Sequence, residues 1–171
     1  MKALVTYYSE TGNTKKVAEN IYEALEEVKK DLTPIDETVN PGEYDVIFCG
    51  FPVHAHSVPP KAASFIKGLP EGSRIALFAT HGSLRGGELA VTAFHHALTL
   101  ASKLKVLGTF GCRGKVKPSI IEGMMKKPEH KAWAEEAQSA TGHPDRHDME
   151  DAAQFAALMI QKARRLQAAS A

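Results

Sequence analysis

The chain has 171 residues, of which 43% are hydrophobic and 24% are charged, and this balance predicts a single globular domain over residues 1–171 with a sizeable core. Its 21 basic and 20 acidic residues leave a formal net charge of +1, which argues against nucleic acid or a membrane surface as the partner. No apolar run approaches 18 residues and a strand begins at Lys2, so we expect neither a membrane span nor a signal peptide, and a cytoplasmic location.

Short apolar runs alternate with helical patterns along the chain. The first run, Lys2–Tyr8, predicts a buried strand, and from Val17 to Val28 apolar residues recur every three or four positions, as in an amphipathic helix. Further strands are predicted at 31–35, 44–50, 74–80 and 105–112, and further helices at 60–67 and from 87 to about 103. Continuous apolar strands joined by helices indicate a parallel sheet with helices on both faces.

The last third of the chain departs from this alternation. Residues 113–147 predict an extra connection with a short helix that starts at Pro128. Asp148, with Asp151 three residues later, predicts the cap of a final helix. We expect the connection to cover an edge of the sheet, and the alternative is a docking surface or a lid.

The turn between the first strand and the first helix is dense in hydroxyl and amide groups. Its sequence is Ser9-Glu10-Thr11-Gly12-Asn13-Thr14. Such a turn directs backbone N–H groups and the positive end of a helix dipole at one spot, and the polar side chains add donors there. It has neither the Gly-Lys-Ser/Thr ending of a Walker loop nor the three spaced glycines of a dinucleotide fingerprint. The turn therefore predicts a site for a phosphate monoester.

The pattern Ser/Thr-x-Thr-Gly-x-Thr directly after the first strand resembles the FMN-phosphate loop of the flavodoxin family. The resemblance implies an α/β fold with a doubly wound, five-stranded parallel sheet of order 2-1-3-4-5, and FMN at the carboxyl ends of its strands. The loops after the third and fourth strands would then hold the isoalloxazine. The cofactor-binding residues that the resemblance implies are Ser9, Glu10, Thr11, Gly12, Asn13, Thr14, Pro52, Val53, His54, Ala55, His56, Thr80, His81, Gly82, Ser83, Gly86 and Gly87.

Both ring loops differ from the family pattern. Flavodoxins commonly stack the ring on a tryptophan and a tyrosine, whereas these loops contain neither, and the one tryptophan is Trp133. We therefore expect FMN to be retained weakly. No Asp or Glu occurs at 51–60 or 80–87. We also expect the reduction potential to be less negative than that of flavodoxins with acidic groups around the ring, because cationic neighbours favour the anionic reduced flavin. The candidate cationic neighbours of the ring are His54, His56, His81 and Arg85.

The favoured function is that of an FMN-binding electron-transfer protein that shuttles electrons between larger protein partners, as a monomer or weak homodimer. No catalytic side chain is required, because the flavin does the chemistry. One alternative is an FMN-dependent NAD(P)H or quinone reductase in which His54, His56 or His81 protonates the substrate. Another is a regulatory module that binds a different phosphate. The same histidines could hold zinc or iron, but no carboxylate in these loops orients the rings, so no metal site is predicted.

Overall fold

Five parallel strands form one sheet in the order β2-β1-β3-β4-β5 in the computed structural model, which describes residues 1–37 and 39–169. The predicted strand order is confirmed, and β2 lies at an edge, where its proline is tolerated. The second strand begins two residues earlier than predicted. The strands are β1 (Lys2–Tyr7), β2 (Lys29–Pro34), β3 (Val46–Pro52), β4 (Arg74–His81) and β5 (Lys105–Arg113).

Helices cover both faces of the sheet, as expected. They are α1 (Asn13–Ala24), α2 (Pro60–Gly68), α3 (Glu88–Leu100), α4 (Pro118–Met125), α5 (Lys131–Gln138) and α6 (Arg146–Ala168), with single 3₁₀ turns at Pro41–Glu43 and Pro128–His130. Helices α1 and α6 share one core with residues such as Val5 and Phe48, and α2 and α3 share the other with residues such as Leu4 and Ile47. Successive strand residues therefore serve opposite cores, as the pleat requires.

Two cysteines lie inside this sheet. Cys49 on β3 and Cys112 on β5 are free and buried, and burial raises the pKa of each thiol to about 12. Both thiols therefore stay protonated near neutral pH and act as small core side chains. No helix within residues 1–37 and 39–169 is both long enough and apolar enough to cross a membrane.

The connection 113–147 holds two helices where the sequence predicted one. Helix α4 was missed, and α5 begins at Lys131 after a 3₁₀ turn that starts at the predicted Pro128. Ile121, Ala134 and Ala137 form a small core of their own between α4 and α5. The connection contacts the loops at the carboxyl end of the sheet.

The predicted cap of the last helix was wrong by three residues. Asp145 is the N-cap: its carboxylate accepts a hydrogen bond from the Asp148 N–H at 3.0 Å, and the Asp148 carboxylate accepts one from the Asp145 N–H at 2.9 Å. This reciprocal pair is a capping box. Asp151 has a different role, because it pairs with Arg85.

Candidate functional site

The turn from β1 to α1 leaves the N-terminus of α1 without a side-chain cap from the described residues. Gly12 has φ +89, which a residue with a side chain rarely adopts, and a Cβ there would meet open space. Its N–H donates to Ser9 Oγ at 3.2 Å. Among the described residues, no side chain caps α1, and its first turn carries no acid. The first N–H groups of α1 are therefore free to bind an anion.

Side chains of the turn are tied to distant parts of the chain. The Asn13 amide donates to Thr11 Oγ1 at 3.1 Å and to the Lys115 carbonyl at 2.9 Å. The Thr14 side chain is buried, and its hydroxyl lies 2.8 Å from that of Thr80, at the end of β4. One of these two hydroxyls donates to the other, so the second keeps its hydrogen for another acceptor. Thr14 thus joins the phosphate turn to the loop after β4.

Glu10, in the turn between β1 and α1, places an acid beside the first ring loop, although neither ring loop contains an Asp or Glu. Its Oε1 accepts a hydrogen bond from the Tyr8 hydroxyl at 2.6 Å, and its Oε2 lies 3.7 Å from His54 Nε2. The Tyr8 bond lowers the pKa of Glu10, burial opposes this, and the charges of His54 and Lys117 add to it. An ionised carboxylate therefore stands beside the loop that follows β3.

The loop after β3 closes through a tight turn. The His54 and Ser57 backbones exchange hydrogen bonds of 3.1 and 2.8 Å, and the two residues between them, Ala55 and His56, have φ of +44 and +65. This is the backbone of a two-residue hairpin turn, which usually requires glycine or asparagine. Left-handed conformations of other residues cost about 1–2 kcal/mol each, and such strain is concentrated at binding sites.

His96 on α3 holds the base of this loop. Its Nδ1 accepts a hydrogen bond from the Val58 N–H at 3.3 Å and therefore also one from the Ser57 hydroxyl at 2.7 Å. The Val53 N–H donates to the Thr80 carbonyl at 2.8 Å, which joins the two ring loops. The sequence offered no signal for His96, because its partners lie 38 and 39 residues away.

The loop after β4 is held in place by contacts of His81 and Arg85, two residues that the sequence predicts beside the flavin ring. His81 is only 6% exposed, its Nδ1–H donates to the Ser83 carbonyl at 2.9 Å, and burial lowers its pKa. Arg85 pairs with Asp148 at 2.7 Å and with Asp151 at 2.6 Å. We therefore revise the expected set of cationic ring neighbours, because His81 is neutral and the charge of Arg85 is balanced by two carboxylates.

The connection 113–147 supports this second ring loop from outside. The Arg113 guanidinium donates to the carbonyls of Gly82 and Glu136 and to Ser139. Glu136 accepts a hydrogen bond from the Leu84 N–H. A Cβ on Gly82 would lie 2.5 Å from Val116 Cγ2, so only glycine allows this approach. The loop is thus held in place by the connection.

The three histidines considered as metal ligands are not brought together. His81 is interior and already bonded, and within residues 1–37 and 39–169 the only close trio of possible ligands is His143, Asp145 and Asp148. In that trio His143 Nδ1 lies 2.6 Å from Asp148 Oδ2. Its ligand atoms are therefore engaged with one another.

Comparison with known proteins agrees with this geometry. The sequence model of the flavodoxin domain matches residues 4–157. The chain belongs to the flavodoxin family. Membership of the family bears out FMN as the expected cofactor, and the β1–α1 turn offers donors that fit its phosphate: neutral hydroxyls and the first N–H groups of α1, which no described side chain caps.

Relatives of this chain include a curated protein and several solved structures. The flavodoxin-like domain-containing protein BilS of Clostridioides difficile (strain CD3) is 30% identical over 175 residues, which cover 95% of this chain and 98% of that protein. A short-chain flavodoxin associated with a non-canonical PDU bacterial microcompartment has a TM-score of 0.66 at 15% identity, with 95% and 99% covered. A flavoprotein from Lactobacillus acidophilus NCFM, solved in complex with FMN, has a TM-score of 0.54 at 21% identity, with 64% and 92% covered.

Proposed function

We propose that this flavodoxin-family protein carries electrons between protein redox partners through an FMN bound at the carboxyl end of its sheet. The observation that supports this most strongly is the α1 N-terminus, which has no side-chain cap among the described residues and no acid in its first turn. Bound FMN supplies one- and two-electron chemistry. We also propose that the protein acts in the cytoplasm, where reduced thiols such as those of Cys49 and Cys112 are usual.

The residues of the chain divide the work of binding. The N–H groups of α1 and the hydroxyl of Thr11 would take the phosphate. The turn at Ala55 and His56 would lie against one side of the ring, and the loop Ser83–Gly87 against the other. His96 and Arg113 hold these two loops at their bases through hydrogen bonds within the protein.

Discrimination between FMN and riboflavin tests the placement of the phosphate. We expect Thr11→Ala to weaken FMN binding by at least about tenfold, because a hydrogen bond to a charged group is worth about 1.5–3 kcal/mol. Riboflavin, which lacks the phosphate, should bind the variant and the wild type equally. Thr92→Ala, at an exposed position of α3, serves as the control. Equal losses for FMN and riboflavin in Thr11→Ala would contradict this placement.

An absorption spectrum of the purified protein, followed by FMN titration, tests cofactor binding itself. We expect partly apo protein that takes up FMN stoichiometrically. A colourless protein that does not respond to FMN would favour the phosphate-binding regulatory module instead.

One observation favours a reductase as the second candidate. His54 is partly exposed in the ring loop and lies 3.7 Å from the Glu10 carboxylate, an arrangement that can hold and deliver a proton. Steady-state oxidation of NAD(P)H with added quinones separates the two functions. If the wild type oxidises NAD(P)H and His54→Gln does not, the reductase is supported. If the wild type shows no turnover, the electron carrier is supported.

A further inference from the structure

The connection 113–147 carries an unusual share of the positive charge of the molecule. Residues 115–131, which we call the basic lobe, hold five lysines against two glutamates, whereas the whole chain has a net charge of only +1. The remainder of the chain is therefore net acidic. Four of the lysines are exposed and form no ion pair with the residues that the structure describes: Lys115, Lys117, Lys126 and Lys127. Their charge is available to a partner.

An apolar side chain lies between these lysines. Ile120 on α4 is 44% exposed, although it is a large hydrophobic residue. Helical spacing places it on the same face as Lys117 and the half-buried Met124, and Lys127 follows three residues after Met124. An apolar centre with a charged rim is the usual anatomy of a protein–protein interface.

The basic lobe is fixed to both halves of the cofactor site. Its Lys115 carbonyl accepts a hydrogen bond from Asn13 in the phosphate turn at 2.9 Å. Its Val116 packs directly on Gly82 in the second ring loop. A protein bound to the lobe would therefore lie beside the flavin, where an electron carrier has to meet its partner.

We infer that the basic lobe docks an acidic, carboxylate-rich surface of a protein redox partner. The inference rests on the proposed electron-transfer function. Long-range attraction between such surfaces speeds association, and salt weakens it. A protein is favoured over an anionic membrane because Ile120 is the one large hydrophobic residue of the lobe that is exposed, and because the lobe borders the redox site.

The test uses reduced plant-type [2Fe–2S] ferredoxin, an acidic one-electron donor, with the FMN-loaded full-length protein. Each encounter transfers one electron from the ferredoxin cluster to the flavin, and stopped-flow absorbance gives the rate. For the wild type we expect the rate to fall as salt rises. For Lys126→Glu combined with Lys127→Glu we expect a rate at least about tenfold lower at low salt and a lost or reversed salt dependence.

Matched variants separate docking from general effects of charge. Lys103→Glu combined with Lys105→Glu makes the same charge change at the opposite end of the sheet, where β5 begins, and should keep the wild-type rate and salt dependence. Ile120→Ser should lower the rate, whereas Leu98→Ser, at a residue 40% exposed on α3, should not. FMN affinity and melting temperature should be the same in all four proteins and the wild type.

Other outcomes overturn the inference. A wild-type rate that is independent of salt or rises with it would do so, and so would an equal loss in both lysine pairs. Binding to phosphatidylglycerol vesicles that disappears in the Lys126/Lys127 variant would assign the lobe to a membrane, and self-association in sedimentation that disappears there would assign it to a second copy. Reversible reduction of the FMN-loaded protein by dithionite is measured in parallel. If this reduction fails, the proposed electron-transfer function is contradicted. If it succeeds while ferredoxin shows none of these effects, only the docking inference is contradicted.

Discussion

Helices α1 and α6 both begin at the carboxyl end of the sheet and pack on the same face, yet their N-termini are opposites. Helix α6 starts with a complete capping box, and Asp148 in its first turn also binds Arg85 and His143. Helix α1 has a glycine, Gly12, at its N-cap position, with no side-chain cap from the described residues and no acid in its first turn. We therefore call the capped N-terminus of α6 the closed end and the N-terminus of α1 the open end.

The difference shows where an anion can bind. At α6 a phosphate would displace a cap and meet the carboxylates of Asp145 and Asp148. At α1 it would meet the first N–H groups of the helix, which no side chain of residues 1–37 and 39–169 caps, and the positive end of the dipole. The two ends are also linked, because the Lys16 ammonium on α1 donates to the Pro144 carbonyl just before α6 at 2.8 Å. An anion at this edge of the sheet should thus bind at α1 and not at α6, because the described residues supply a side-chain cap only for α6.

Closing the open end should have the largest effect. We expect Gly12→Asp to lower FMN affinity by at least about tenfold, because the new carboxylate would lie at the N-terminus of α1 and repel the phosphate, and one lost charged hydrogen bond costs about 1.5–3 kcal/mol. Isothermal titration calorimetry with FMN measures the loss.

Gly72→Asp is the matched control for this substitution. Gly72 has φ +79 and open space around it, and it lies just before β4, at the far end of the sheet. Both variants should lose a similar amount of stability from the left-handed conformation, but only Gly12→Asp should lose FMN affinity. Equal FMN affinity in the two variants would mean that the phosphate does not bind at α1.

Opening the closed end should have a smaller effect, on stability instead of binding. Asp148→Asn weakens the bonds to Arg85 and His143, and we expect unfolding to become easier by about 1.5–3 kcal/mol. Asp151→Asn is the control, because Asp151 is half-exposed and its ion pair with Arg85 is worth at most about 1 kcal/mol. Urea unfolding of both variants measures the difference, and equal values would show that the Asp148 network adds nothing to the cap.

The same contact has a defined pH dependence. Burial alone would raise the pKa of Asp148, but hydrogen bonds from His143, the Asp145 N–H and Arg85 outweigh it and lower the pKa. A carboxylate with a lowered pKa stabilises the fold above its unfolded value of about 3.9 and loses that contribution as pH falls through the folded value. The stability difference between wild type and Asp148→Asn should therefore be smaller below about pH 4 than above about pH 5.

The local parts of this comparison could be predicted from sequence, and the distant parts could not. The change from strand to helix around Gly12 and the hydroxyls of the turn are visible within residues 2–28. The cap of α6 was misplaced because Asp145–Asp148 and Asp148–Asp151 have the same spacing of three. The deciding contact, between Arg85 and Asp148, spans 63 residues.

The ring loops illustrate the same limit. His81 and Arg85 carry the right chemistry for a flavin neighbour in the sequence, yet folding buries one and pairs the other with α6. Helix α4 was missed because it is only 8 residues long and contains Gly123, which weakens the helical pattern. Its position beside Asn13 depends on a contact over 102 residues.

The smallest expected effect concerns the histidines near the two helix ends. His54 lies beside Glu10 in the open turn, whereas His143 is bonded to Asp148 at the closed end. Reduction places negative charge on the flavin, which favours a proton on a nearby imidazole. The reduction potential should therefore fall as pH rises, by less than the roughly 59 mV per unit of a one-proton, one-electron couple.

Potentiometry from about pH 5.5 to 8.5 brackets an ordinary imidazole pKa of roughly 6.5. We expect His54→Gln to flatten this slope and His81→Gln to leave it unchanged, because His81 is buried and its burial lowers its pKa. The opposite result, in which His81→Gln removes the pH dependence and His54→Gln does not, would contradict this expectation. The flavin ring would then lie against His81 in the loop after β4 and not against His54 in the loop after β3.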